Sequence, residues 1–351
     1  PDGGEAQRAA DVATGVVDFK WFPDSKRIAF ISWVWPKLKG SKAQADQLKE
    51  TKARKDTAYA TEDAVYRHWD HNLPMNRVPH ILILDIASGR VTDLLEGSGY
   101  ELPRREPSAN EFAISPNGKS ICFVHDPDKA KNAAPRMALA EIELKGSSVV
   151  AVRDLVKNKD WDFAGPAYSP TGDQLAFLAS HQSLKHTQPS HLALLEMQPQ
   201  KATQTKKQGT AWKTISAHWD REPQAPLKWS EDGSALLCKA EDKGRQHVWR
   251  FDIATSQSTV VSEGGTVHAF DEAAGQLVTL MDRAIHPGRI HVMKVNESGQ
   301  VASSDCKRIE HFNDDLLDGI ALGNTEEHWF KGAEGDDVQV WLHFPPGFNK
   351  T

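Results

Sequence analysis

The chain alternates short apolar runs with polar turns, and one such pattern recurs. An aromatic or apolar residue is followed by Ser or a substitute, then Pro or an acid, then a turn and an apolar strand. It reads Trp21-Phe22-Pro23-Asp24-Ser25-Lys26-Arg27-Ile28-Ala29-Phe30, then Ile114-Ser115-Pro116-Asn117-Gly118-Lys119-Ser120-Ile121-Cys122-Phe123. Tyr168-Ser169-Pro170-Thr171-Gly172 before Leu175-Ala176-Phe177 is a third copy, and Trp229-Ser230-Glu231-Asp232-Gly233 a fourth. Phe270-Asp271-Glu272-Ala273-Ala274-Gly275 is a degenerate fifth. Each predicts a β-hairpin, with Pro presetting φ and Asn-Gly or Asp-Gly supplying the positive-φ positions. The apolar runs after the turns predict strands buried on both faces.

A second hairpin follows most copies, clearest at Leu82-Ile83-Leu84-Asp85-Ile86-Ala87-Ser88-Gly89-Arg90-Val91. Similar runs begin at Ala140, Leu192, Val248 and Ile290. Two hairpins make a four-stranded antiparallel sheet that must stack on its neighbours, and radial stacking gives a β-propeller. The prediction is therefore an all-β propeller with five complete four-stranded blades, near 21–95, 112–155, 166–215, 226–261 and 270–309. An irregular β-sandwich is the competing fold, but sandwiches do not reuse one hairpin signature five times. The anchors Pro23, Pro116, Pro170, Glu231 and Glu272 lie 93, 54, 61 and 41 residues apart. A minimal blade needs about 40 residues, so several blades carry insertions.

The longest insertion is 33–79. Ser41-Lys42-Ala43-Gln44 predicts a capping box opening a helix through about Ala58. Its Lys42, Lys49, Lys52, Arg54 and Lys55 are interleaved with Asp46, Glu50 and Asp56, the pattern of a solvated face. The polar, basic stretch 199–209 predicts a loop. Pro1 to Arg8 reads as the tip of an earlier blade, so the propeller is expected to be incomplete at its N-terminal side. The expected division is a propeller over 1–324 and, over 325–351, a hairpin and junction turning at 333–337.

The 351 residues carry 42 Lys and Arg against 48 Asp and Glu, a net charge of −6. Mild acidity argues against nucleic acid as partner, since phosphate binding needs a basic face. No apolar run reaches 18 residues, so no membrane-spanning helix is expected. The first residues do not reveal a compartment. Cys122 and Cys238 sit in apolar strands and read as buried hydrophobes; Cys306 completes an odd set that frames no disulfide network. His181, His186 and His191 recur at a spacing that fits neither helix nor strand face, and His68 and His71 flank Trp69-Asp70. No HExxH occurs, and neither a metal nor another cofactor is expected.

Three Trp-Asp pairs stand out: Trp69-Asp70, Trp161-Asp162 and Trp219-Asp220. In one reading Asp70, Asp162 and Asp220 hold a peptide amine and Trp69 its side chain. In the other, each Asp bonds turn amides while the Trp packs between blades.

The segment Trp341-Leu342-His343-Phe344-Pro345-Pro346-Gly347-Phe348 resembles the junction before the α/β-hydrolase domain of the prolyl oligopeptidase family of serine peptidases. The branch of dipeptidyl and acylaminoacyl peptidases is the most similar. Asp18 to Asp24, Ser32-Trp33-Val34-Trp35-Pro36, Tyr66 to His71, Trp161-Asp162-Phe163 and His311 to Leu317 add to the resemblance. It covers nearly the whole chain. It implies a non-catalytic propeller cap that gates peptide access to a hydrolase domain of the same protein, with short peptides as ligands. Self-association stays open. The nucleophile elbow G-x-S-x-G is absent, so no catalytic residue is assigned and the chain alone is expected to cleave nothing. Family exopeptidases bind the substrate amine through propeller carboxylates; Glu62-Asp63 is the nearest pair, though its surroundings depart from that pattern. The competing function is a stand-alone interaction propeller of the Trp-Asp-repeat kind. Its steady period and strand-ending Trp-Asp are not seen here.

Overall fold

The computed structural model describes residues 4–6, 8–56, 58, 60–61, 66–127, 136–182, 188–197, 211–262, 264–296, 301 and 306–349. Blade 1 contains β1 (Phe19–Trp21) and β2 (Arg27–Val34), then an insertion with helix α1 (Gly40–Ala53) and the hairpin of β3 (Arg67–His68) and β4 (His71–Asn72). It closes with β5 (Val78–Asp85) and β6 (Arg90–Asp93), in sheet order β1-β2-β5-β6. Blade 2 is β7 (Phe112–Ile114), β8 (Ser120–His125), β9 (Ala138–Lys145) and β10 (Ser148–Val156). Blade 3 is β11 (Trp161–Tyr168), β12 (Gln174–His181), β13 (Ser190–Glu196) and β14 (Trp212–Thr214). Blade 4 is β15 (Gln224–Trp229), β16 (Ala235–Asp242), β17 (Arg245–Asp252) and β18 (Ser258–Val260). Blade 5 is β19 (Thr266–Ala273), β20 (Gln276–Arg283), β21 (His286–Lys294) and β22 (Lys307–Arg308). The short helix α2 (Asp314–Leu317) precedes a final hairpin, β23 (Thr325–Lys331) with β24 (Asp337–His343). All strand pairings are antiparallel, and the fold is a β-propeller, as the repeats predict.

The chain divides into two compact units, residues 1–217 with 225–227 and residues 218–224 with 228–351. Blades 1 to 3 belong to the first; blades 4 and 5 and the final hairpin belong to the second, apart from the middle of β15.

The apolar runs become strands because both faces are covered. In the first unit, Phe22, Ile31, Ile81, Ile83, Phe112, Ile121, Phe123 and Ile142 form one buried cluster from blades 1 and 2. Cys122, Val124, Phe163, Leu175, Phe177 and Leu195 form the next, from blades 2 and 3. In the second unit, Leu237 and Val248 of blade 4 bury against Phe270, Leu277 and Met281 of blade 5. Cys122 and Cys238 are buried as expected, and burial pushes both thiols up, Cys238 to about 12.

The recurrent Ser is the turn's internal partner. Gly118 N donates to Ser115 O (2.8 Å), and Ser120 N donates to Ser115 Oγ (2.9 Å). Ser169 Oγ accepts from Gln174 N, and Ser230 Oγ from Ala235 N, each at 3.0 Å. All three serines are buried. The positive φ falls on the Gly alone, at Gly118, Gly172 and Gly233 (65°, 76° and 70°), and the preceding residue needs none. Each is a turn of the type I kind followed by a left-handed Gly within a four-residue loop, 116–119, 170–173 and 231–234, two residues longer than the two-residue Asn-Gly form. Ser230→Ala should cost about 1–3 kcal/mol by leaving the buried Ala235 N–H without its acceptor. Urea unfolding of the variant checks this. Asp232, held at about pKa 2 first by the Ser230 hydroxyl, should titrate closer to the ordinary carboxylate range in the same variant.

The insertion departs from its predicted detail. The helix ends at Ala53, short of Ala58, and the capping box does not form. Lys39 holds the cap position without a side-chain bond, and Glu96 Oε2 accepts from Gly40 N at 2.9 Å instead. Gln44 turns inward: Oε1 accepts from Trp35 N (2.9 Å), and Nε2 donates to Trp35 O (2.9 Å) and Leu38 O (3.0 Å). A tertiary acceptor thus takes over from the local cap. The charged face is solvated, with Lys42 and Asp46 paired in the open at 2.6 Å.

Candidate functional site

In the first unit, the β2–β5, β8–β9 and β12–β13 connections leave their blades at the end opposite the Ser turns. The first strand of each blade begins at this same end. Trp69, Asp70 and Asp162 fall there because antiparallel pairing returns every second connection to one side.

Trp69 and Asp70 form the two-residue turn between β3 and β4, where His68 pairs with His71. Trp69 is 84% exposed and adopts φ 48°, a left-handed conformation that is uncommon for a bulky residue. The Asp70 carboxylate points into solvent beside His71 Nδ1 (3.3 Å). Trp69 and Asp70 are thus offered outward, and no blade packs on them among the described residues.

Asp162 is different. It opens β11, and its Oδ1 accepts from Met137 N, the residue just before β9, at 3.0 Å. Phe163 N donates back to Met137 O at 3.3 Å. These two bonds tie blade 2 to the first strand of blade 3. Trp161 packs edge-on against Trp212 and His181. Burial raises the Asp162 carboxyl first, the Met137 amide and Arg136 lower it, and Asp126 raises it again. The environment supports the structural role for Trp161-Asp162.

No protein-family profile matches the sequence. The chain is 22% identical over 349 residues to dipeptidyl-peptidase 5 of Porphyromonas gingivalis, covering 96% of this chain and 46% of that protein. An acylaminoacyl peptidase of Pyrococcus horikoshii superposes with a TM-score of 0.60 at 11% identity, over 93% of this chain and 43% of that one. A puromycin hydrolase superposes at 0.58 and 10% identity, over 99% of this chain and 46% of the other. The chain is thus a β-propeller similar in sequence to part of a dipeptidyl-peptidase. It spans less than half the length of each of these proteins.

Within this propeller part, the third Trp-Asp pair belongs to the second unit. Trp219 packs against Trp249 and Phe251, while Asp220 is exposed and pairs with Arg221 Nη1 at 2.8 Å. Arg221 Nη2 reaches Asp242 at 2.7 Å, so its guanidinium joins two carboxylates. Glu62 and Asp63 lie outside the described residues, as does His186. Among the described residues no group of three His, Cys, Asp or Glu side chains could hold a metal ion. No described helix is long and apolar enough to cross a membrane.

Two features of this propeller part escape sequence reasoning. One is Arg77, just before β5, whose guanidinium lies over the Trp35 ring with its centroid 5.1 Å away. The other is Glu111 at the entry to blade 2, whose carboxyl burial raises to about 7 against the opposing pull of Lys20. Neither has a motif; each depends on which elements meet around it.

Proposed function

We propose that this chain is the propeller cap of a serine exopeptidase of the dipeptidyl or acylaminoacyl kind, limiting which peptides reach an α/β-hydrolase active site elsewhere in the same protein. The carrying observation is the insertion, predicted over 33–79 and found between β2 and β5 at 35–77. It leaves blade 1 at the connection end, is anchored by Gln44 on Trp35, and presents Trp69 and Asp70 to solvent. Connections of this length are usually lids or binding loops, whereas plain hairpin loops take two to five residues. The similarity to a dipeptidyl-peptidase over almost the whole chain supports the same reading.

On this reading, residues 1–324 form the propeller, and 325–351 form the hairpin and junction to the hydrolase domain. Short peptides are the ligands, and Trp69 and Asp70 are the propeller residues offered to them. Asp162 contributes through the seam it holds between blades 2 and 3, and Asp220 through its ion pair with Arg221. Replacing 37–58 by a short linker in the full-length protein should raise turnover of peptides longer than about ten residues severalfold, while dipeptide derivatives change less than about twofold. Peptide-length profiles of the two proteins check this. An unchanged profile with an unchanged melting temperature would make the insertion decoration.

A further inference from the structure

Arg77 stands apart from the arginines that build the blades. Arg27, Arg153, Arg245 and Arg308 each grip a carboxylate at 2.6–2.8 Å. The Arg77 guanidinium is half-buried over the Trp35 ring, and no described carboxylate pairs with it. Burial alone acts on its charge, and lowers its hold on the proton. A cation withdrawn from water is costly unless an anion compensates it, and a ring face returns only part of that cost.

The surroundings hold this side chain in place. Gln44, the buried residue of α1, clamps Trp35 through both its backbone N–H and its C=O. Trp35 directly follows β2, and Arg77 directly precedes β5, so the stack sits where the insertion leaves and rejoins blade 1. Helix, indole and guanidinium make a supported stack.

We propose that Arg77 is an anion-binding residue whose ligand is a peptide carboxylate. The planar fork of a guanidinium matches a carboxylate with two parallel N–H···O bonds, and stacking on Trp35 fixes the plane in advance. The carboxylate is the peptide's C-terminus or an acidic side chain. This assignment rests on the reading that the insertion end of blade 1 meets peptides, and it makes Arg77 a specificity determinant there.

The test titrates the 351-residue chain calorimetrically with three peptides: Ala-Ala-Phe with a free carboxylate, its C-terminal amide, and Ala-Glu-Phe amide. The wild type should bind one of the carboxylate peptides about tenfold more tightly than Ala-Ala-Phe amide, the scale of a charge-assisted hydrogen bond. Which peptide gains identifies the source of the carboxylate. Arg77→Met keeps the packed stem and should reduce that peptide to the affinity of the neutral amide; Arg77→Lys should retain part of the preference. Equal binding of all three peptides by the wild type overturns the assignment while leaving the peptide-facing reading intact. A preference that persists in Arg77→Met at unchanged melting temperature does the same. If none of the peptides binds, both fall.

Discussion

Phe123→Ala is expected to destabilise the first unit by about 3–5 kcal/mol. The ring is fully buried on β8, in the cluster shared by blades 1 and 2, with Phe22, Ile31, Ile81 and Phe112 around it. It meets Tyr100 edge-on, with centroids 5.9 Å apart, and lies at 6.0 Å from His125. Neighbouring strands are fixed by ladder bonds on both sides, since Phe123 pairs with Phe112 and with Ala140. The site therefore cannot collapse onto the space left by the ring, which places the cost toward the upper end of that range. Equilibrium urea unfolding monitored by tryptophan fluorescence checks it. Phe123→Leu should recover more than half the loss. A cost below about 1 kcal/mol for the alanine variant would mean that the two blades do not share one core.

The second large effect concerns pH. Glu111 closes the 3₁₀ turn Ala109–Glu111 at the start of blade 2. Asp18 of blade 1 accepts from Ala109 N at 2.6 Å, and Lys20 Nζ donates to Phe112 O at 2.6 Å while lying over the Phe112 ring. With Lys20 committed to that carbonyl, its charge offsets only part of the burial cost, and the carboxyl titrates near 7 in the fold against 4.5 as a free side chain. The folded state thus keeps the proton that the unfolded chain releases. The favourable contribution is complete below pH 4.5 and falls away as pH rises to about 7, beyond which stability levels off. The span corresponds to up to about 3 kcal/mol. Glu111→Gln keeps the shape and the neutral hydrogen-bonding group, so it should flatten this part of the profile and be more stable than wild type at pH 8. Urea midpoints at half-unit steps from pH 5 to 8 measure both curves. Parallel curves would show that Glu111 is ionised in the fold and compensated by Lys20.

The repeats make the blades legible in the sequence itself. Hairpin signatures at Ser115, Ser169 and Ser230 located the first two strands of blades 2, 3 and 4 within a few residues. The reason is local: a buried Ser, a left-handed Gly and a following apolar run are needed wherever this turn is made, so they recur in the sequence. The final hairpin was legible likewise, because its turn and its alternation are short-range properties. The capping box at Ser41 to Gln44 misled for the complementary reason. Its residues suit a local cap, but Gln44 gains more from two backbone groups of Trp35 that only folding brings near.

Sequence alone determined the fold class, the number of four-stranded sheets, the position of the helical insertion and the burial of Cys122 and Cys238. These follow from period, turn chemistry and apolar runs, which act over a few residues. The first strands of blades 3 and 5 begin four to five residues earlier than their turn signatures suggest. Tertiary structure alone decided the partners of the charged and polar side chains. Asp162 carries the same Trp-Asp signature as Asp70, yet one bridges two blades through Met137 and the other faces water. Arg77 is an ordinary arginine in the sequence, and only the meeting of α1, Trp35 and the start of β5 leaves it half-buried with no carboxylate paired to it among the described residues. Electrostatic roles depend on distance and dielectric, and both are set by chain segments far apart in sequence.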